Sequence, residues 1–384
     1  GTPQAPIMGV SADLLDFGVF EQEQSITRQL TIYNNGMLDL SIEEINISGN
    51  SGFSTTFSDA TVVPNDSVVV DFQFYTEDVI TEAFATATIV AANADNIDIS
   101  LRAGYFGPLH VTTDGSDETG NGTSDNPFAT IQAGIDAASD GDTVLVAAGT
   151  YVENINWSTI DNISLIGSGI DSTIIDGGNN GKVIDNSDES SYPKEISNLT
   201  IQNGVSSGKG GGISLKMVGE LLLKNINIQN NHAEIGGGVY IEGQGSASFV
   251  QTIVHFENVI ISDNMADTYG GGVSLDGALI SSIMKNVTMV NNSAVDGGGG
   301  LQAGSIGDYA VIVNSIFWNN QPSNVDGMVF PYYSNIDIPV GSNNIYTDPL
   351  FVNESENFNL LENSPCIDAG TDFLAVNLST YMLP

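Results

Sequence analysis

Two kinds of residue in this chain have the chemistry to act on a substrate or hold an ion. The first is the sparse set of cations, Arg28, Arg102, Lys182, Lys194, Lys209, Lys216, Lys224 and Lys285. A base that takes the proton α to a uronate carboxyl is commonly an Arg or a Lys, and these eight are the candidates. Lys224 and Lys285 draw interest because, with Glu257, they occupy equivalent places in a repeat. Lys-Glu-Lys on neighbouring coils is also what a solvated salt ladder looks like, and exposed pairs are worth only about 0.2 to 1 kcal/mol. The second kind is the carboxylates, so abundant that proximity alone says little. Glu234, Asp267 and Asp296 each stand just before a glycine run. If stacked about 5 Å apart they would repel unless a cation such as calcium sat among them. Asp114, Asp117, Asn121 and Asp125 lie in an Asp/Asn/Gly-rich loop that offers hard oxygen ligands, without the order of an EF-hand. The plain reading at both places is splayed, solvated side chains and a turn-rich loop, with calcium as the candidate cofactor set against it.

Other chemistries find little support. His110, His232 and His255 have no paired spacing for a transition metal. No glycine-rich run follows a strand and opens a helix with a lysine, so phosphate cradling is not expected. Trp157, Trp318, Tyr269, Tyr332 and Tyr333 are candidates to stack on sugar rings, although aromatics in such a chain mostly fill its interior.

Composition narrows the partners. The chain has 384 residues, 47 acidic against 8 Lys plus Arg, and a formal net charge of −39. That charge repels a phosphate backbone, so nucleic acid and anionic membranes are poor partners. It also favours surroundings rich in salt or divalent cations that relieve self-repulsion. No apolar run approaches the ~20 residues of a membrane helix. The lone Cys366 has no internal disulfide partner. If the protein is exported, its signal segment is expected to have been removed before Gly1.

These residues must be carried by two differently textured regions. Residues 1–107 alternate with period two, as in Gln29-Leu30-Thr31-Ile32-Tyr33 and Ser67-Val68-Val69-Val70-Asp71-Phe72-Gln73-Phe74, between turns such as Asn34-Asn35-Gly36. This predicts two packed antiparallel sheets. From residue 108 onward the chain repeats itself. Asn198, Asn225, Asn258, Asn286 and Asn314 begin equivalent phrases at intervals of 27, 33, 28 and 28 residues, and a glycine phrase at Gly210, Gly236, Gly270 and Gly297 keeps the same beat. Two phrases in one register, with short β-rich segments between turns, predict parallel coils stacked about 4.8 Å apart. The 33-residue interval places a loop of about six extra residues within 244–255. Asn231, Asn264, Asn292 and Asn320, six residues after each repeat Asn, are expected to form a structural ladder at the turns, with left-handed backbone angles.

Several of these phrases resemble known families. Leu15-Asp16-Phe17-Gly18, Ile32-Tyr33-Asn34-Asn35-Gly36 and Pro64 before a Val-rich strand resemble immunoglobulin-like domains of the ASPM, SPD-2 and hydin type. That resemblance implies a spacer or docking unit without catalysis. Phe128-Ala129-Thr130-Ile131-Gln132, followed by Gly141-Asp142-Thr143-Val144 and Gly149-Thr150-Tyr151, resembles the start of the pectin-lyase-like right-handed parallel β-helix superfamily, where such a phrase begins a capping helix, here about 128–139. Apolar Ile131, Ile135 and Ala138 fit a helical face. The repeats over about 195–321 resemble the polymorphic outer-membrane-protein repeats of bacterial surface β-helices. Asp348-Pro349-Leu350-Phe351-Val352 through Cys366-Ile367-Asp368-Ala369-Gly370 resembles a closing element over about 348–372 of secreted β-helix proteins, with any sorting anchor expected beyond it.

The expectation is therefore an all-β, secreted or cell-surface protein: a β-sandwich followed by a parallel β-helix. Its expected role is noncatalytic, in adhesion, matrix or filament architecture, or glycan contact. Its expected partners are surface or matrix polysaccharide, other surface proteins, or other copies of itself. The alternative is a calcium-dependent lyase or another enzyme degrading acidic polysaccharides.

Overall fold

A computed structural model describes residues 5–18, 25–76, 82–104, 107–157, 162–186, 193–217, 219–243, 252–277, 279–304, 307–354 and 357–371. The chain divides into two compact units, Gly1–Gly107 and Pro108–Pro384. It is all-β, with one helix among the described residues.

The first unit is a sandwich of a four-stranded and a five-stranded sheet. Period-two alternation sends Val70, Phe72 and Phe74 inward along Ser67–Phe74, against Leu30 and Ile32 of the antiparallel partner Ile26–Asn34. Phe17, Phe53 and Phe74 meet at ring distances of 4.6 to 6.3 Å, an arrangement that adds to their burial. One pairing departs from the antiparallel expectation. The first strand is split: Met8–Val10 pairs antiparallel in one sheet, and Leu14–Asp16 crosses to pair parallel with Ile97–Gly104 in the other. The edge strands, such as Leu14–Asp16 and Phe53–Thr55, are three residues long, which limits edge-to-edge association. Asn34 does more than turn the chain. It is fully buried, its Nδ2 donates to the carbonyls of Leu38 and Val62, and its Oδ1 accepts from Gly36.

The second unit contains parallel sheets of thirteen, seven and three strands. Glu195–Gln202, Gly219–Gln229 and Thr252–Ser262 follow one another in the largest sheet, each one repeat after the last. All strand pairing described between Asn198 and Asn320 is parallel. The register stacks like on like. Ile201, Ile228, Ile261, Met289 and Phe317 form one fully buried row, and Ile196, Leu223, Phe256, Met284 and Ile312 another.

The turns correct the expected Asn ladder. The left-handed angles belong to the repeat asparagines Asn198, Asn225, Asn258, Asn286 and Asn314, and to Asn203, Asn230, Asp263, Asn291 and Asn319 five residues later. Short polar side chains tolerate that region better than others. The column Asn231, Asn264, Asn292 and Asn320 is the ladder, but it is buried and without positive φ. Each Nδ2 bonds the Oδ1 of the next at 2.9 to 3.0 Å, and each also donates to a carbonyl of the preceding repeat. A second, outer ladder joins Asn198, Asn225, Asn258 and Asn286. Among the glycines, Gly270 takes φ 66°, and Gly271 lies so close to the next repeat that a Cβ would meet Ser293 O at 2.3 Å.

The helix is Ile131–Ala137, shorter than expected. Phe128 exchanges backbone hydrogen bonds with His110 and Thr112, which keeps it extended. Of the span 244–255 expected to hold the extra loop, residues 252–255 belong to the strand Thr252–Ser262, and 244–251 lie outside the described residues. The closing element forms one antiparallel pair, Phe351–Asn353 with Asn357–Leu360, and is fastened where Asn314 exchanges two hydrogen bonds with the Thr371 backbone.

Candidate functional site

The helix start shows what the Asp-rich loop does. Asp117 accepts from the N–H groups of Ala129 and Thr130 and from Thr130 Oγ1, at 2.8 to 3.0 Å. Glu153, from the following strand region, accepts from the N–H groups of Ile131 and Gln132. Glu153 and the N-cap Thr130 hydroxyl, which accepts from Ala133 N–H, therefore satisfy the first donors of the helix, and Asp117 fixes the chain just before it. Burial raises the Asp117 pKa, but the Thr130 and Ala129 hydrogen bonds outweigh it and hold the group below its ordinary value. Burial dominates at Glu153 and pushes its carboxyl up, against the Ile131 and Gln132 bonds. Asn121 Oδ1 is turned to Thr123, while Asp114 and Asp125 are exposed.

The three acids before the glycine runs do not form one column. A register shift between Ala233 and Ile235 moves Asp267 out of line. Thr268 lies between the outer two: its Oγ1 donates to the Glu234 carbonyl at 2.7 Å, and its own carbonyl accepts from Asp296 N at 2.9 Å. Asp267 instead meets His232 Nε2 at 2.9 Å, and a second cross-repeat pair joins His255 Nε2 to Glu220 at 2.8 Å. Among the described residues no three His, Cys, Asp or Glu side chains gather as a metal site.

Lys224, Glu257 and Lys285 do stand in register on adjacent strands. No ion pair within 4.0 Å joins them among the described residues. Trp157 is buried, Trp318 packs on Tyr346 at 5.5 Å, and Tyr269 is 41% exposed. Tyr332 and Tyr333 are half-buried. Cys366 lines a cavity of about 180 Å³ beneath the closing element, where burial pushes its thiol up.

A constellation of charged and polar side chains that the sequence reading passed over lies on the seven-stranded sheet. Lys209, just before Gly210, reaches Glu242 at 3.1 Å and Asp276 at 3.6 Å, with its ammonium 4.7 Å from the Tyr240 ring centre. The Tyr240 hydroxyl donates to Asp276 at 2.9 Å and to Glu242 at 3.3 Å. Burial, then the Asp276 hydrogen bond and the neighbouring charges, raise the Tyr240 pKa far above its ordinary value, so it stays protonated. The two carboxylate oxygens sharing that hydroxyl lie at most about 6 Å apart. One repeat back, Lys182 bonds both Asp185 and Ser214. Register explains the assembly. Asp185, Ser214, Tyr240, Ser274, Gln302 and Asp326 form one row, and Lys216, Glu242 and Asp276 another. The signal was present: Lys216, Glu242 and Asp276 each come six residues after Gly210, Gly236 or Gly270.

A family described as HYDIN/CFA65/VesB-like, Ig-like domain matches residues 6–104, so the first unit is immunoglobulin-like. Among solved structures, the chain is similar to the PapD-like domain 7 of human CEP192, at 10% identity over 26% of this chain and 84% of that one, with TM-score 0.21. It is also similar to a FixG-related protein from Vibrio parahaemolyticus, at 14% identity, 26% and 94% coverage and TM-score 0.20. A third likeness is to the CupB2 chaperone of Pseudomonas aeruginosa, at 17% identity, 25% and 54% coverage and TM-score 0.21. No curated protein matches the chain. No helix among the described residues is long and apolar enough to cross a membrane.

Proposed function

We propose that residues 108–384 form a right-handed parallel β-helix of the pectin-lyase-like kind, in a secreted or cell-surface protein whose helix is a noncatalytic glycan-binding and adhesive surface. The immunoglobulin-like unit serves as its spacer. The observation that carries this reading is the polar face of the seven-stranded sheet, where Lys209, Tyr240, Glu242 and Asp276 hold one another in place while their charged heads stay partly exposed. Fixed donors and acceptors on a rigid sheet suit a hydroxyl-rich polymer, because little side-chain freedom is left to lose on binding. Surface or matrix polysaccharide is the partner, and other copies of the chain are a second one. Calcium acts as a counterion over the whole acidic surface, because Asp114, Asp117, Asn121, Asp125, Glu234, Asp267 and Asp296 stand apart or are already engaged.

One observation favours a second reading, a polysaccharide-degrading enzyme. The Glu242 and Asp276 carboxylates are close enough to act as an acid and nucleophile pair, which needs about 5 to 5.5 Å. Incubating the protein with neutral and acidic polysaccharides, with and without a calcium chelator, separates the two. Retention on a polymer with no new chain ends is the expected result. Product formation abolished by Glu242→Gln establishes the enzyme instead, and neither retention nor product removes both readings.

A further inference from the structure

Three side chains from three successive repeats meet over one bare glycine on this face. A Cβ on Gly297 would lie 2.3 Å from Gln302 Oε1, 2.9 Å from Tyr269 Cδ1 and 3.2 Å from Asp326 Oδ2. The missing side chain is what lets an aromatic edge, an amide and a carboxylate share that spot. Gly298 donates its N–H to Gln302 Oε1 at 3.1 Å, which fixes the amide. Tyr269 is 41% exposed, and Asp326 is exposed as well. Pairing places Tyr269 in one column with Lys209 and Ile235, and Gln302 in one row with Tyr240 and Ser274. The spot therefore continues the same face, starting in the repeat that holds Asp276 and running two repeats further.

We infer that this face takes an uncharged glycan, with Tyr269 as the platform for a sugar ring and Gln302 and Asp326 as partners for its hydroxyls, and that it rejects uronans. The inference rests on the glycan-binding reading above and specifies its ligand. An apolar sugar face suits an aromatic ring. Sugar hydroxyls donate to a carboxylate that can only accept, and they accept from an amide that can donate. A uronate needs a free cation, and two of the three lysines on this face are committed. Lys209 is shared by Glu242 and Asp276, and Lys182 is taken by Asp185. Lys216 is in register with Glu242 without an ion pair among the described residues, and it belongs to the repeat of Lys209, two repeats before Tyr269. What a uronan would meet beyond them is Asp326, on a chain of net charge −39, and like charges at this range repel.

The test is affinity electrophoresis of the full chain through mixed-linkage β-glucan, galactomannan, xylan, polygalacturonate and alginate. The expected result is retardation by at least one neutral polymer and by neither uronan. Binding should weaken at least tenfold in both Tyr269→Ala and Gln302→Ala, each with an unchanged unfolding midpoint. Retardation by uronans alone, or neutral binding untouched by both substitutions, overturns the inference and leaves the glycan reading standing. No retardation by any polymer overturns both.

Discussion

Replacing Asn292 by alanine is expected to lower the unfolding free energy of the second unit by about 3 to 5 kcal/mol, because it strands several buried partners worth roughly 1 to 3 kcal/mol each. Asn292 is fully buried. Its Oδ1 accepts from both the N–H and the Nδ2 of Asn264, at 3.1 and 2.9 Å. Its Nδ2 faces Ile261 O at 2.8 Å, Val290 O at 3.1 Å and Asn320 Oδ1 at 2.9 Å. Alanine takes the acceptor from the buried Asn264 N–H, leaves Asn264 Nδ2 with Ile228 O alone, and leaves Asn320 Oδ1 with only the residue-292 N–H. Because each repeat rests on the next, the loss should spread along the stack. Urea unfolding followed by circular dichroism measures it, and a loss below about 1 kcal/mol would show that the ladder adds little.

Alanine at Gly271 should be comparably damaging, about 4 kcal/mol or a chain that fails to fold, for a steric reason. The added Cβ would sit 2.3 Å from Ser293 O and 2.5 Å from Gly299 O, both backbone atoms of the next repeat. Relief requires prising two repeats apart along hydrogen-bonded turns, since backbone cannot swing aside as a side-chain tip can. Gly208→Ala is the matched control. Its nearest neighbour would be Ser206 Oγ at 3.9 Å, so a change within about 0.5 kcal/mol is expected by the same unfolding measurement.

What the sequence made legible was whatever repeats. Asn198, Asn225 and Asn258 recur in step, and their strands pair in step. Alternation along Ser67–Phe74 showed which side chains turn inward. The backbone angles of the Asn columns were assigned one place off, since spacing alone does not separate a turn residue from its buried neighbour. The Asp267 column failed because a single register shift, invisible in the intervals, rotates one acid out of line. The Lys209 cluster escaped notice because it draws on unlike residue types. A lysine before one glycine phrase meets acids after the next two, and only the side-chain reach of Lys209 across Tyr240 joins them.

The stacking of successive repeats in one register underlies every row and column above, and cross-linking tests it most directly. In a Cys366→Ser background, Lys224→Cys with Glu257→Cys places two cysteines on adjacent strands with Cα atoms about 4.8 Å apart, within the roughly 4.4 to 6.8 Å Cα separation that a disulfide spans. Lys224→Cys with Lys285→Cys places them two strands apart, roughly 10 Å, too far to bridge. The account predicts rapid oxidation to an intramolecular disulfide in the first pair and none in the second, read from the mass of the intact chain. A bridge in the second pair without one in the first would contradict it.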